Sequence, residues 1–300
     1  MKAGTLVTLF SFLVAVLGFM AATLGLVWPS GLPVSDTTTT SVHGETVTLL
    51  GNGLYRFDAL FIGAGFLGQD VITLIIAVPA LLLTSWRARS KGRIYWLVFR
   101  LAVTAFFAYI YGTMALGAAY NELFLLYAAT LSAALFSLVL SARELHARLF
   151  AIWPLVAQSL PRNASATLLL ICGSFTGLIW ALPLIAGLIG GTPPPYLFHA
   201  TTKVTEALDL AIIVPSSGLA AVLILQNRLD GYVLSIPLFG LLALLFPTIT
   251  ASTISQLRAG VTFSPPEIIG PIGGFLVFGV LAALVLWRII IPMAAADATE

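Results

Sequence analysis

Charged residues are scarce in this chain, and their scarcity excludes most soluble folds. Only 9% of its 300 residues are charged and 59% are hydrophobic, whereas soluble domains carry about 25% charged residues. The formal net charge of +2 provides no basic surface for a nucleic-acid partner. The composition therefore predicts an all-α multi-pass membrane protein whose main partner is the lipid bilayer.

Cysteine and histidine are also rare. The single cysteine, Cys172, lies in an apolar run, so no internal disulfide can form, and we expect a buried packing group. The histidines, His43, His146 and His199, are scattered and belong to no HExxH or CxxC pattern. We therefore expect no metal site and no cofactor. No catalytic nucleophile is recognisable either, so the pattern does not favour an enzyme.

Long apolar runs are abundant instead. A membrane-spanning helix needs about 20 apolar residues at about 1.5 Å rise per residue. Eight runs meet this length, near residues 4–28, 66–86, 95–118, 122–141, 165–190, 206–226, 232–250 and 268–291. The first is long for a signal peptide and lacks a small-x-small cleavage site, so we predict a retained helix.

The distribution of lysine and arginine predicts the orientation, because short basic loops stay cytoplasmic. The densest cluster is WRARSKGR, at residues 86–93. Placing it inside puts both termini in the cytoplasm. The other loops that then fall inside contain Arg143, Arg148, Arg162 and Arg228. Those left outside contain Arg56, Lys203 and Arg258.

The largest outer loop, residues 29–57, is predicted to contain a small β-hairpin between the first two helices. Residues 45–50 alternate in polarity, and Gly51-Asn52-Gly53 and a second short run follow them. The preceding threonine run is expected to be a solvated connector. A hairpin lying over the outer face could also dock another protein.

The stretch FIGAGFLGQD, residues 61–70, places Gly63, Gly65 and Gly68 in the spacing G-x-G-x-x-G. A dinucleotide-binding fingerprint requires a buried strand before the glycines and a soluble helix after them. Here an aromatic segment precedes the glycines and a membrane span follows. We expect the glycines to permit a break in the backbone or the close approach of another helix.

Two segments of the chain are similar to each other. The sequence YRFDA at 55–59 resembles YLFHA at 196–200; each is followed by an aspartate, Asp70 or Asp209, and then by Val-Pro. We therefore predict one membrane domain, 1–300, built as a 4+4 parallel repeat of residues 1–150 and 151–300. A pseudo-twofold axis along the membrane normal would place the second and sixth helices opposite each other, with both aspartates at similar depth.

Polar positions near the outer ends of these two helices are the candidate ligand-binding residues. They are Asp70, Asp209, Glu206, Gln69, Lys203, Asp58 and Glu122. An intramembrane carboxylate is costly unless it is paired, hydrated or protonated, which favours a functional role. The spacing of Lys203, Glu206 and Asp209 by three residues predicts a shared helix face.

A structural alternative stands beside this one. Asp70 and Glu206 can lie in the first turn of a span, where the helix amino terminus favours negative charge. Asp58 can be an amino-terminal cap. We expect the turn at Asn121-Glu122 to have a structural role. As the alternative, Glu122 lines the vestibule, the outward-facing space near the other candidate residues.

One family resemblance follows from these motifs. The stretch GLYRFD with Gln69-Asp70, Thr73-Leu74 and Pro79, followed by Leu208-Asp209-Leu210 and Pro215, resembles a family of bacterial multi-pass membrane proteins with no assigned activity. The resemblance covers most of the chain. It implies a bacterial plasma (inner) membrane location and brings no substrate or cofactor with it.

Two functional classes follow. The first is a transporter or permease-like protein with an outward-facing acidic pocket for a cation, a proton-coupled solute or a lipid. The alternative is a non-catalytic scaffold or assembly subunit of a membrane complex. A transporter should contain a polar cavity that reaches past the outer leaflet. A scaffold should show paired carboxylates at the surface above a dry core.

Overall fold

The computed structural model of the chain describes residues 3–29 and 37–298. Within these ranges eight helices are long and apolar enough to cross a bilayer, which confirms the predicted number. They are α1 (Ala3–Val27), α2 (Leu60–Lys91), α3 (Ile94–Gly117), α4 (Phe124–Val156), α5 (Arg162–Gly190), α6 (Val204–Leu225), α7 (Leu229–Arg258) and α8 (Pro265–Asp297). This architecture indicates a helical, multi-pass integral membrane protein.

Several helices extend beyond the apolar runs that predicted them. Helix α2 begins at Leu60 rather than near residue 66, and α4 continues to Val156 although its apolar run ends near residue 141. The segment predicted as a basic loop after residue 141 is therefore helical. The backbone hydrogen bonds of a helix do not require apolar side chains, so hydropathy underestimates helix length wherever a span continues into water.

Three of the helices contain a π-helical turn, at Thr73–Ala77 in α2, Asp209–Ile213 in α6 and Ile268–Ile272 in α8. In α2 and α6 the turn is followed directly by a Val-Pro pair. Proline lacks the amide hydrogen and clashes with the carbonyl four residues earlier, and a widened turn accommodates both effects. Asp209 is the first residue of the turn in α6, so this turn helps to set its position.

Helices α3 and α7 contact each other at the centre of the bundle, whereas α2 packs on α7, and α6 packs on α5 and α7. Both α2 and α6 thus pack on α7, and the placement of the second and sixth helices opposite each other across the centre stays a prediction. A Cβ atom built on Gly68 of α2 would lie 2.4 Å from the Ala251 carbonyl oxygen of α7. As expected for this glycine, the missing side chain lets two helices approach closely.

A two-stranded hairpin lies between α1 and α2; one strand falls within the predicted run 45–50, but its partner strand differs from the predicted one. Strand β1 (Thr38–Thr40) pairs antiparallel with β2 (Thr46–Thr48). The threonine run is thus a strand, consistent with the preference of β-branched residues for extended backbone. The predicted second strand after Gly51-Asn52-Gly53 is replaced by a tight return, in which the Gly51 N–H donates to the Arg56 carbonyl at 3.0 Å.

The two ends of the bundle differ in character. The hairpin end comprises residues 37–59 and the connections at 118–123, 191–203 and 259–264. At the opposite, arginine end, Asp297 of α8 accepts the Ile94 N–H at 3.1 Å and pairs with Arg148 of α4 at 2.6 Å. These contacts join three helices, and they accompany a tightly packed apolar core at the arginine end.

Candidate functional site

A cavity of about 700 Å³ lies among α2, α3, α5, α6, α7 and the start of α8, and it extends from the connections of the hairpin end. On α6 it is lined from Lys203, just before the helix, to Ser217. The fourteen helical steps between these two residues span about 21 Å, so the cavity reaches past the middle of a hydrocarbon core about 30 Å thick. Most of the lining side chains are apolar, and the charged ones lie towards the hairpin end.

The cavity is closed towards the arginine end. Below Ser217, α6 and α7 meet so closely that a Cβ atom on Gly231 would lie 2.6 Å from the Ile224 nitrogen. Ala221, Ile236 and Phe239 are fully buried at the same level. The cavity is therefore a pocket with one accessible side rather than a channel.

Asp209 is held in the cavity wall by two neutral donors. The Tyr109 hydroxyl of α3 donates to one carboxylate oxygen at 2.9 Å, and the Trp180 indole N–H of α5 donates to the other at 2.7 Å. Only 5% of Asp209 is exposed. The carboxylate is thus fixed between three helices, and neither of these two partners carries a compensating charge.

Lys203 and Glu206 form an ion pair at the start of α6, with 2.6 Å between Nζ and Oε1. Lys203 also donates to the backbone carbonyls of Pro195 at 3.0 Å and Tyr196 at 3.2 Å. The predicted shared face is therefore present for this pair. Glu206 lies in the first helical turn, as the structural alternative expected. The lysine ties the preceding loop to the helix.

Four aromatic side chains form the rim of the cavity. The ring of Phe61 lies 5.4 Å from that of Tyr196, 5.9 Å from that of Phe198 and 6.0 Å from that of Phe263, measured between centroids. All four residues line the cavity. Tyr196 and Phe198 adopt left-handed backbone conformations, with φ of 60° and 55°. Such conformations are unusual for bulky residues, so the loop is held in a strained shape that presents both rings.

Gln69 and Asp58 also line the cavity, and each carries a buried polar atom with no hydrogen-bond partner among the described residues. In Asp58 this atom is Oδ2, while Oδ1 accepts the Ala119 N–H at 2.8 Å. Burial raises the pKa of Asp58 to about 7, although the hydrogen bond from Ala119 lowers it. The expected capping role is corrected, because the residue at the cap of α2 is Ala59 and no side chain caps it.

Asp70 does not line this cavity. It is 1% exposed, accepts a hydrogen bond of 2.7 Å from the Tyr55 hydroxyl and lies against Gly25 of α1. It occupies the eleventh position of α2, counted from Leu60, so the first-turn alternative does not apply. The structure therefore does not bring Asp70 and Asp209 together.

The spacing from the Val-Pro pairs explains this separation. Asp209 is the first residue of its π turn, a position that Thr73 occupies in α2. Asp70 precedes its π turn by three residues and therefore corresponds in spacing to Glu206. Matching the two aspartates by their order alone placed them one turn out of register, and one helical turn changes which neighbours a side chain reaches.

Glu122 lies outside the cavity, at the surface of the hairpin end. Its Oε1 lies 2.5 Å from Nη2 of Arg56, and 41% of the glutamate side chain is exposed. The hydrogen bond from Arg56 lowers the pKa of Glu122. The pair joins the connection at 118–123 to the return before α2, which favours the structural role over the vestibule.

Sequence reasoning missed several polar residues. Arg100 of α3 is 1% exposed and pairs with Glu144 of α4, and an arginine inside an apolar run was a usable signal. Trp180 gave no such signal, because an indole in a span usually packs or anchors at the interface. Among the described residues no group of three or more His, Cys, Asp or Glu side chains could hold a metal ion.

Comparison with models of known protein families, with curated proteins and with solved structures finds no match. The functional argument therefore depends on the cavity itself.

Proposed function

We propose that this membrane protein is a transporter or permease-like protein for an amphipathic, lipid-like molecule. The observation that carries the proposal is the cavity of about 700 Å³, which lies within the size range of small-molecule sites, about 300–1,000 Å³. Its deep part is lined by side chains such as Phe66, Ile110 and Leu241, and its rim by charged and aromatic ones. An apolar chain would occupy the interior while a polar head stays at the rim.

The start of α8 supports access from the bilayer. Ile268 and Ile269 are 50% and 77% exposed, although Glu267, Ile272 and Phe275 nearby line the cavity. Just below, the ring of Phe175 in α5 packs against that of Phe275 at 6.0 Å. The boundary between α5 and the start of α8 is thus closed by side chains rather than by packed backbone. Movement of these side chains would provide a lateral route for a lipid-like molecule.

The predicted 4+4 repeat belongs to the same proposal. Helices α1 and α2 pack together, as do α5 and α6, and the α3–α4 contact recurs between α7 and α8. Both α2 and α6 carry a π turn before Val-Pro. Halves of this kind can rock against each other around a binding site, and the widened turns would be the points of bending.

We assign the hairpin end to the extracytoplasmic side of a bacterial inner membrane, with both termini cytoplasmic. The support is the positive-inside rule, because lysine and arginine concentrate at the arginine end, at residues 87–93, 143, 148, 162 and 228. Under this assignment the cavity faces outward.

Tryptophan fluorescence tests the binding step. Trp180 lies in the cavity wall, so its emission is obtained as the difference between the parent protein and Trp180→Phe. The protein in phosphatidylcholine nanodiscs is titrated with a lysophosphatidylcholine that carries bromine on its acyl chain. We expect saturable quenching of the Trp180 emission, because a bromine atom in the cavity lies close to the indole.

Two variants of α7 provide the matched control. Leu242→Phe together with Leu245→Phe narrows the cavity and should abolish the saturable component. Leu257→Phe alters a side chain on the same helix that is 55% exposed and lies outside the cavity, so it should leave quenching unchanged. Quenching that rises linearly with probe in all variants would overturn the proposal and favour the scaffold alternative.

A further inference from the structure

The charged groups that line the cavity are unequal in number. Four carboxylates line it, those of Asp58, Glu206, Asp209 and Glu267, against one ammonium group, that of Lys203. Lys203 is engaged by Glu206 and by two backbone carbonyls. Asp209 is held by an indole and a phenol, which carry no charge. The lining therefore has more carboxylates than cationic groups, and a cation beside Asp58, whose pKa burial raises to about 7, would favour its ionised form.

Asp58 adds an unpartnered acceptor atom to the residues that line the cavity. Asp58 is 3% exposed and lines the cavity, and its Oδ2 atom has no hydrogen-bond partner within residues 3–29 and 37–298. A buried carboxylate oxygen without a donor is costly. A ligand that brings positive charge to this position would relieve the cost, whereas an anionic head would increase it.

The aromatic rim supplies a second recognition element. Tyr196, Phe198 and Phe263 pack around the ring of Phe61, and Tyr196 and Phe198 are presented by left-handed backbone. Backbone strain of this kind tends to persist at ligand-binding sites. Aromatic faces attract alkylammonium groups, as in the cages that bind quaternary amines.

From the excess of carboxylates, the unpartnered Asp58 oxygen and the aromatic rim, we infer that the cavity selects a cationic amphiphile, with an alkylammonium head at the rim and its chain among the leucines of α7. This inference depends on the proposed function and narrows it to one class of ligand. Asp209 would be the deep counter-charge and Phe61 the centre of the rim.

The test compares three probes with the same bromododecyl chain and different heads: trimethylammonium, maltoside and sulfate. Their affinities are taken from the midpoints of Trp180 quenching in phosphatidylcholine nanodiscs, after correction for partition into the bilayer with Trp180→Phe. We expect the trimethylammonium probe to bind about tenfold or more tighter than the sulfate probe, since close opposite charge contributes more than about 1.4 kcal/mol.

Variants separate recognition from folding. Asp209→Asn should lower the affinity for the trimethylammonium probe about tenfold and change the affinity for the maltoside probe by less than about twofold. Phe61→Leu should lower the affinity for the trimethylammonium probe about threefold. Glu122→Gln, which removes a surface carboxylate outside the cavity, should change neither.

The outcomes are distinct. Equal affinity for all three heads would overturn the cationic inference while leaving amphiphile binding in place. Saturable quenching by none of them would overturn both. Tighter binding of the sulfate probe, or an Asp209→Asn variant with unchanged selectivity, would also overturn the inference.

Discussion

Helices α2 and α6 meet the central helices in different ways at the hairpin end. Helix α2 lies directly on α7, with Gly68 against the backbone of Ala251 and Ser252. The corresponding contact of α6 is with α3, where a Cβ atom on Gly117 would lie 3.2 Å from that of Val204. Counted back ten residues from the valine of each Val-Pro pair, Val204 occupies the place of Gly68. In the α2–α7 contact the glycine is on the outer helix α2, whereas in the α3–α6 contact it is on the central helix α3.

The segments before α2 and α6 also differ, in the burial of their tyrosine side chains. Tyr55 is fully buried and donates to Asp70, so the first segment closes over its acid. Tyr196 is 49% exposed and stacks on Phe61 at the rim, so the second segment leaves its acid to Tyr109 and Trp180. Similar pentapeptides thus produce a plug over Asp70 before α2 and part of the cavity rim before α6. The difference teaches that sequence similarity between two segments does not decide whether they are buried or line a cavity.

Adding a side chain at the close contact between α2 and α7 should have the largest effect on stability. Gly68→Ala places a methyl group 2.4 Å from backbone atoms of α7, which cannot rotate away as a side chain can. We expect destabilisation by about 3 kcal/mol, at the upper end of overpacking effects. The measurement is thermal unfolding of the purified protein in detergent.

The matched control for this variant is Gly218→Ala on α6. No atom lies within 4 Å of a Cβ atom built there, and the site is helical. Alanine has the higher helix propensity, so this change should leave the unfolding temperature equal or slightly higher. A Gly68→Ala protein as stable as its Gly218→Ala counterpart would show that the α2–α7 crossing is not tightly packed.

Removing one hydroxyl donor from each of the buried aspartates Asp70 and Asp209 gives the next largest contrast. Tyr55→Phe leaves the fully enclosed Asp70 without its donor and should cost about 1–2 kcal/mol of stability. Tyr109→Phe removes one of two donors from Asp209, which keeps Trp180 and faces the cavity, so the cost should be smaller. Thermal unfolding of the two variants side by side checks the order, and equal losses would contradict the distinction between plug and rim.

Much of the fold was predictable because its signals are one-dimensional. Eight apolar runs give eight spans, since every backbone polar group in hydrocarbon must be satisfied within a helix. The ends of α2 and α4 were not predictable from hydropathy, because polar turns continue the same helices. The hairpin was predicted from its alternation, but the strand partner depended on which neighbouring run the chain could reach.

The candidate site was predictable only in part. Lys203, Glu206, Asp209, Gln69 and Asp58 line one cavity, as their shared position near the helix ends suggested. The removal of Asp70 and Glu122 from that set follows from packing: one is enclosed by Tyr55 and Gly25, and the other pairs with Arg56. Such three-dimensional neighbours leave no mark in spacing along the chain.

The smallest predicted effect is the pH dependence of stability that Asp58 produces. Burial raises the pKa of Asp58 from 3.8 to about 7, so the folded protein keeps a proton there that the unfolded chain has lost. Stability should therefore fall as pH rises between 6.5 and 8, by about 1 kcal/mol. Asp58→Asn retains an acceptor for the Ala119 N–H and cannot ionise, so it should flatten this slope.

Neighbouring groups do not account for the same slope. The pKa of Glu122 is lowered by Arg56, and that of His199 is lowered from 6.5 by burial, so both titrate below this window. The pKa of Tyr55 is raised by burial, and it titrates above the window. Unfolding temperatures of the parent, Asp58→Asn and Glu122→Gln at pH 6.5, 7.2 and 8 make the comparison. A slope that persists in Asp58→Asn, or vanishes in Glu122→Gln, would assign the titration to another group.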